Sequence, residues 1–201
     1  SRPRSMGSLY WQLNDAWTSI SWSSIDYYGN KKAFHYKLSE MYAPILLGMD
    51  EKENGKYNIW VSNDLQRDIK GRIRVLVEDM KGNQMFAFSE MVDIKANDCY
   101  RLPENIKINV SKKKRTECYA RIILMEEDTV LSERLHFFAY PKDLKLVKTE
   151  LEPKVTFADG KYTLEFNSKV FVKDVFVSTT EAGEFSANYF DVLPNTTKVI
   201  T

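Results

Sequence analysis

A mainly β protein, with immunoglobulin-like β-sandwich domains after one strand–loop–helix segment, is predicted by three features of the chain. Short alternating apolar runs recur between Lys56 and Tyr140, and a second, shorter series fills the last fifty or so residues. Helical spacing is confined to one stretch, from about Lys31 to Tyr42.

The leading segment, residues 1–44, opens with a strand-like run at Met6–Gln12 and continues as a loop rich in serine and aromatic residues. Ala33, Tyr36, Leu38 and Met41 then recur at near-helical spacing, with Gly29-Asn30 as the start signal. One strand and one helix bury too little surface to fold alone. The segment has the shape of the final β/α unit of a (β/α)8 barrel, whose other units lie elsewhere.

From Ile45 the periodicity changes. Lys56–Ser62, Gly71–Glu78, Gln84–Ile94, Glu117–Met125 and Val130–Tyr140 are the strand candidates of a domain spanning residues 45–140. Turn signals separate them at Glu53-Asn54-Gly55, Lys81-Gly82-Asn83 and Glu126-Glu127-Asp128. Regularly spaced short strands with one apolar face argue for an immunoglobulin-like sandwich. Residues 141–201 form a smaller β-sandwich domain, with strands at Lys154–Ala158, Lys161–Asn167, Val170–Ser178 and Thr197–Thr201. Asp159-Gly160 marks a two-residue hairpin.

Composition narrows the function. Lys+Arg 29 against Asp+Glu 28 leaves a net charge of +1, so no global field draws nucleic acid or an anionic membrane. No apolar run is long enough for a bilayer, and Ser1-Arg2-Pro3-Arg4-Ser5 lacks the apolar stretch of a secretion signal. Cys99 and Cys118 are expected as free thiols. His35 and His136, the only histidines, have no close partners for a zinc site, and no glycine-rich loop cradles a nucleotide. No cofactor is expected. The basic run Ser111–Arg115 and the acidic tip Glu126–Asp128 read first as solvated turns.

The densest signal lies at the start. Three of the four tryptophans, Trp11, Trp17 and Trp22, fall in the first thirty residues among Gln, Asn and Asp. Aromatic faces cover the apolar side of a pyranose, and amides and carboxylates bond its hydroxyls. A tryptophan-rich core or interface is the competing reading.

The residues themselves carry a resemblance. Trp11-Gln12-Leu13-Asn14-Asp15-Ala16-Trp17, followed by Ser21-Trp22-Ser23-Ser24-Ile25-Asp26-Tyr27, resembles the end of the catalytic barrel in β-mannosidases of glycoside hydrolase family 2. Lys32-Ala33-Phe34-His35-Tyr36 is similar to the start of the following helix, and Tyr42-Ala43-Pro44 to its exit. Phe185–Pro194 resembles a motif near the C-terminal end of the same enzymes, so the matches bracket most of the chain. Thr18 stands where the family often has proline, which leaves the loop conformation open.

The resemblance implies a C-terminal portion of a retaining exo-β-mannosidase, with a β-mannoside sugar as ligand. It implies a periplasmic, secreted or lysosomal parent. Trp11 is then the platform under the sugar, with Asn14, Asp15 and Trp17 beside it as substrate-binding residues. Retention requires two carboxylic groups about 5–5.5 Å apart. In the family both are glutamates upstream of this signature, so no catalytic residue is expected in this chain. Glu40 reads as a solvated helix face, Asp15 as a polar support and Asp26 as a loop-fixing group. A barrel unit on its own exposes its tryptophans, so the first forty residues are expected to cover them against a sandwich, the parent's own barrel or a second copy. A carbohydrate-binding or structural interaction module, and a family 2 β-galactosidase or β-glucuronidase, are the alternatives.

Overall fold

The computed structural model describes residues 7–52, 55–103, 106–180 and 183–201. It divides into two compact units: Pro44–Lys148 with Lys169–Phe171, and the residues up to Ala43 with Thr149–Ser168 and Val172–Thr201.

The larger unit carries β1 (Ile45–Glu51), β2 (Tyr57–Asn63), β3 (Ile69–Asp79), β4 (Gln84–Ile94), β5 (Asp98–Arg101), β6 (Cys118–Glu126) and β7 (Thr129–Phe137). They form two antiparallel sheets, β1-β2-β5 and β4-β3-β6-β7. Alternation drives this arrangement. In β2 the odd positions Tyr57, Ile59, Val61 and Asn63 are buried; in β3 Ile69, Ile73, Val75 and Val77 point the same way. These side chains join Ile94, Ile122 and Leu124 in one core between the sheets.

Two glycines mark close approaches. A Cβ on Gly71 would sit 2.2 Å from the Met125 carbonyl oxygen. A Cβ on Gly48 would strike the ring of Trp60, its cross-strand partner, at 2.1 Å. Trp60, the fourth tryptophan, is thus laid over β1, and its indole N–H donates to Asp50 at 2.9 Å.

β1 and β5 were not among the expected strands. β1 reads Ile-Leu-Leu-Gly-Met, a continuous apolar run that lacks alternation, and β5 is only four residues long. The Glu53-Asn54 part of the first turn signal lies outside the described residues. Lys81-Gly82 does turn the chain, with Gly82 at φ 82°.

The smaller unit holds α1 (Ala33–Met41), β8 (Lys154–Ala158), β9 (Lys161–Asn167), β10 (Val172–Val175), β11 (Phe190–Val192) and β12 (Thr197–Ile200). β12-β9-β8 form one sheet and β10-β11 a second. Asp159 and Gly160 both take positive φ, 52° and 74°, which is the twist that a two-residue hairpin needs. β10 is shorter than expected because Asp174 adopts φ 52° inside it and shifts the register. The core is small: Leu164, Phe166, Phe190, Val192 and Ile200.

Around residue 10 the structure departs from expectation. Met6 lies outside the described residues, and Gly7–Gln12 form no strand; pairing is limited to isolated bridges from Ile25 to Asn14 and to Lys31. A β ladder needs a partner strand to satisfy its backbone, and among the described residues none lies alongside. Helix α1 begins at Ala33 without a side-chain cap and buries only Leu38 fully, so tertiary contact rather than propensity holds it.

Candidate functional site

The aromatic loop is held from inside by polar groups. The Trp11–Gln12 peptide is cis. The Leu13 carbonyl accepts from the amides of Ser24 at 3.2 Å and Ile25 at 2.9 Å, and the Asp15 amide returns to the Ile25 carbonyl at 3.1 Å. The Ser24 hydroxyl donates to the same Leu13 carbonyl at 2.9 Å. Two strands of loop are thereby clamped together across a serine that is fully buried.

Asp15 sits at the centre of this clamp. The Ser21 hydroxyl donates to one carboxylate oxygen, and Lys32 Nζ donates to the other at 3.0 Å. Lys32 also donates to Ser23 Oγ at 2.7 Å, and Ser23's amide donates to Ser21 Oγ at 3.0 Å. Donation from Ser21, with the Lys32 ammonium beside it, holds the Asp15 carboxyl below its ordinary 3.8 against the opposing effect of burial. Asp15, Ser23 and Ser24 are all buried.

Asp26 fixes the other end. Its Oδ1 accepts from the amides of Tyr28 at 2.9 Å and Asn30 at 2.8 Å, while the Asn30 side chain donates to Oδ2 at 2.9 Å. The Asn30 amide bonds hold the Asp26 carboxyl low as well. The same pattern recurs at Asp79 with Lys81 and Asn83 in the β3–β4 turn. Both turns share the spacing Asp-x-x-Gly-Asn, and Gly29 and Gly82 take positive φ in them.

With the polar groups turned inward, the large apolar side chains face out. Trp11 is 77%, Trp17 70% and Trp22 82% exposed. Asn14 is exposed too, and its amide donates to the Asp15 carbonyl at 3.2 Å. Of the four residues read as substrate-binding, Trp11, Asn14 and Trp17 therefore reach solvent, while the Asp15 side chain is enclosed.

The two segments that carry the resemblance meet within the smaller unit. Lys31 donates to Glu184 at 2.7 Å, and the rings of Tyr36 and Tyr189 lie 5.9 Å apart. Tyr189 also packs on Phe176 at 5.1 Å. Asn188 is buried and bonds both backbone groups of Val177, accepting at 2.8 Å and donating at 2.7 Å. Lys32, Ser21 and Ser23 fall within the motifs that carry the resemblance but were given no role of their own; their signal is the serine spacing around Trp22, which puts hydroxyls opposite an acid.

Other titratable groups have structural places. Glu40 pairs with Lys37 at 3.3 Å on the exposed helix face, and Glu126 is held by both Arg67 Nη atoms at 2.9 and 2.8 Å. His136 packs against Tyr57 and Phe138, and burial pushes its pKa down. Both cysteines are free; burial pushes the Cys118 thiol up to about 11. Among the described residues no group of three His, Cys, Asp or Glu side chains is placed to hold a metal. Among them, too, no helix is long and apolar enough to cross a membrane.

Two family models cover most of the chain: a mannosidase Ig/CBM-like domain over residues 55–143 and a mannosidase Ig-fold domain over residues 146–201. Beta-mannosidase A of Aspergillus oryzae is 26% identical over 224 residues, covering 98% of this chain. The rat beta-mannosidase is 26% identical over 92% of it. The crystal structure of a β-D-mannosidase from Dictyoglomus thermophilum superposes with a TM-score of 0.78 at 25% identity over 94% of the chain. Over most of its length the chain is similar to β-mannosidases.

It spans 23% of the length of the Aspergillus oryzae relative and of the Dictyoglomus chain, and 22% of the rat enzyme. An Amycolatopsis orientalis exo-chitosanase shares the fold at 14% identity, with a TM-score of 0.66 and coverage of 96% of this chain and 27% of its own.

Proposed function

We propose that this chain is the C-terminal part of a retaining exo-β-mannosidase-like glycoside hydrolase, and that its first forty residues supply one wall of the sugar pocket. In that reading Trp11 is the platform for the sugar ring, and Asn14 and Trp17 border it. Asp15 is a positioning residue that acts through the loop. The catalytic carboxylates belong to another part of the parent protein, and residues 45–140 and 141–201 are accessory sandwich domains.

One observation carries the proposal. The loop presents three exposed tryptophans on a polar scaffold whose only buried acid has both oxygens occupied by donors. Such an acid is placed to shape a site rather than to exchange protons with a substrate. The relatives named as β-mannosidases supply the sugar class. The exposed aromatic surface also fits a face that is covered by the parent's barrel or by a second copy.

The chain by itself should give no turnover of an aryl β-mannoside; appreciable hydrolysis would overturn the assignment. In the full-length parent, Trp11→Ala should lower kcat/KM by about tenfold or more, the equivalent of one aromatic contact of roughly 1.4 kcal/mol. An unchanged value would favour the reading of this segment as a purely structural interface.

A further inference from the structure

We infer that the larger unit carries a separate binding groove for acidic polysaccharide, at the end where β6 begins and β7 stops. The groove is shallow and open to solvent, has a volume of about 720 Å³ and is lined by Lys112, Arg115, Phe137, Phe138, Tyr140 and Asp143, among others. That volume is in the range of small-ligand sites, roughly 300–1,000 Å³.

Its surfaces divide the chemistry. Phe137 and the buried Phe138 give it an apolar side. The Phe137 ring is braced by Phe171, at 5.7 Å, and by Tyr119, at 6.3 Å. Tyr140 stands 75% exposed at the rim. Its backbone is set by the short 3-10 turn Pro141–Asp143, in which the Asp143 amide donates to the Tyr140 carbonyl at 2.9 Å. An exposed aromatic on a fixed backbone offers a flat face to the C–H side of a sugar ring.

The charge is what selects an acidic ligand. The chain as a whole is nearly neutral, yet Lys112, Lys113, Lys114 and Arg115 are consecutive. They are folded into one turn, with the Lys114 amide on the Ser111 carbonyl at 2.9 Å. Arg115 is committed to Glu51 through both Nη atoms, so it does not count toward a ligand. Lys145 is likewise committed to Glu117 at 2.7 Å. Lys112, Lys113, Lys114 and Lys142 take part in no ion pair among the described residues; of these Lys112 lines the groove, and the others are near lining residues in sequence. Asp143 is the one acid in the lining, placed to accept from a hydroxyl. A neutral glycan would leave Lys112 without an ionic partner, and polyglutamate has no sugar ring to lay on Tyr140. A carboxylated sugar chain uses both.

Calorimetric titration of the whole chain with a mannuronate oligomer tests this, alongside a neutral manno-oligosaccharide and polyglutamate at the same chain length. The mannuronate oligomer should bind saturably and more weakly as salt rises. Tyr140→Ala and Lys112→Glu should each weaken it by about five- to tenfold, whereas Tyr140→Phe and Trp11→Ala should leave it unchanged. Thermal unfolding of each variant separates lost binding from lost folding. The inference is overturned if the neutral sugar or polyglutamate binds as well, if Tyr140→Ala folds and binds like the parent sequence, or if nothing binds. Any of these results leaves the role proposed for Trp11 untouched, because the groove shares no residue with that loop.

Discussion

The sandwich of residues 44–148 and the loop of residues 9–32 solve opposite problems with the same kinds of side chain. In the sandwich, Ile59, Val61, Ile73 and Val75 are wholly buried, while Lys70, Arg72 and Arg74 of β3 and Asp93 of β4 face water. In the loop the order is inverted: Asp15, Ser23 and Ser24 are inside, and Trp11, Trp17 and Trp22 are outside. The first arrangement is what the hydrophobic effect produces unaided. The second needs specific hydrogen bonds to hold a backbone that buries little apolar surface, and it leaves aromatic area for another molecule to cover. The Asp-x-x-Gly-Asn turn occurs in both regions with the same bonds, so the local code is shared and only the surroundings differ.

This contrast makes the largest effects fall in the sandwich. Ile73→Ala should cost about 3 kcal/mol in urea unfolding, by lost burial plus the cavity left behind. Trp11→Ala should stay within about 0.5 kcal/mol, as exposed positions do. A loss of several kcal/mol for Trp11→Ala would mean that the loop is a core after all.

An intermediate effect is expected at Asn63, the polar residue at the end of β2. Its amide donates to the carbonyls of Arg67 at 2.9 Å and Lys95 at 3.0 Å, and its oxygen accepts from the Leu65 amide at 3.0 Å. Asn63→Leu should lower stability by about 2–3 kcal/mol, because it strands three backbone groups that the fold has already removed from water. A neutral result would show that water reaches them.

The smallest global effect, but a specific local one, belongs to Asp15. Asp15→Asn should accelerate amide exchange at Ser24 and Ile25 while the unfolding midpoint of the larger unit stays put. The carboxyl's folded value lies below 3.8, so its contribution is complete above that value and is lost as the pH falls through the lower one. Tryptophan emission followed through that acid range should change in the parent sequence and not in Asp15→Asn. Identical profiles would remove Asp15 from the clamp.

Much of the fold was legible from periodicity. Gln84–Ile94, Lys154–Ala158 and Lys161–Asn167 match the strands residue for residue, and Asp159-Gly160 makes the hairpin that its composition demands. β1 escaped because its run Ile45–Met49 is apolar at both alternating faces, apart from Gly48, and so shows no alternation, and β11 because three residues carry no period. The run at Met6–Gln12 has strand composition but no strand partner among the described residues. Trp11, Trp17 and Trp22 stood out by type, whereas their exposure did not, since tryptophan is as much a core residue as a surface one. Lys32 was invisible as a loop-holding residue because its partner Asp15 lies 17 residues away.

By itself the sequence determined the β class, most strand positions, the turns and a family signature at each end, because all of these are local or periodic properties. Tertiary structure alone decided which groups turn inward. Asp15, read from the sequence as a polar support, gained its partners only when Ser21 and Lys32 were brought to its two oxygens. Lys112 became part of a groove when the turn holding it was set beside Tyr140. The orientation of a side chain depends on partners distant in sequence, and no local pattern records them.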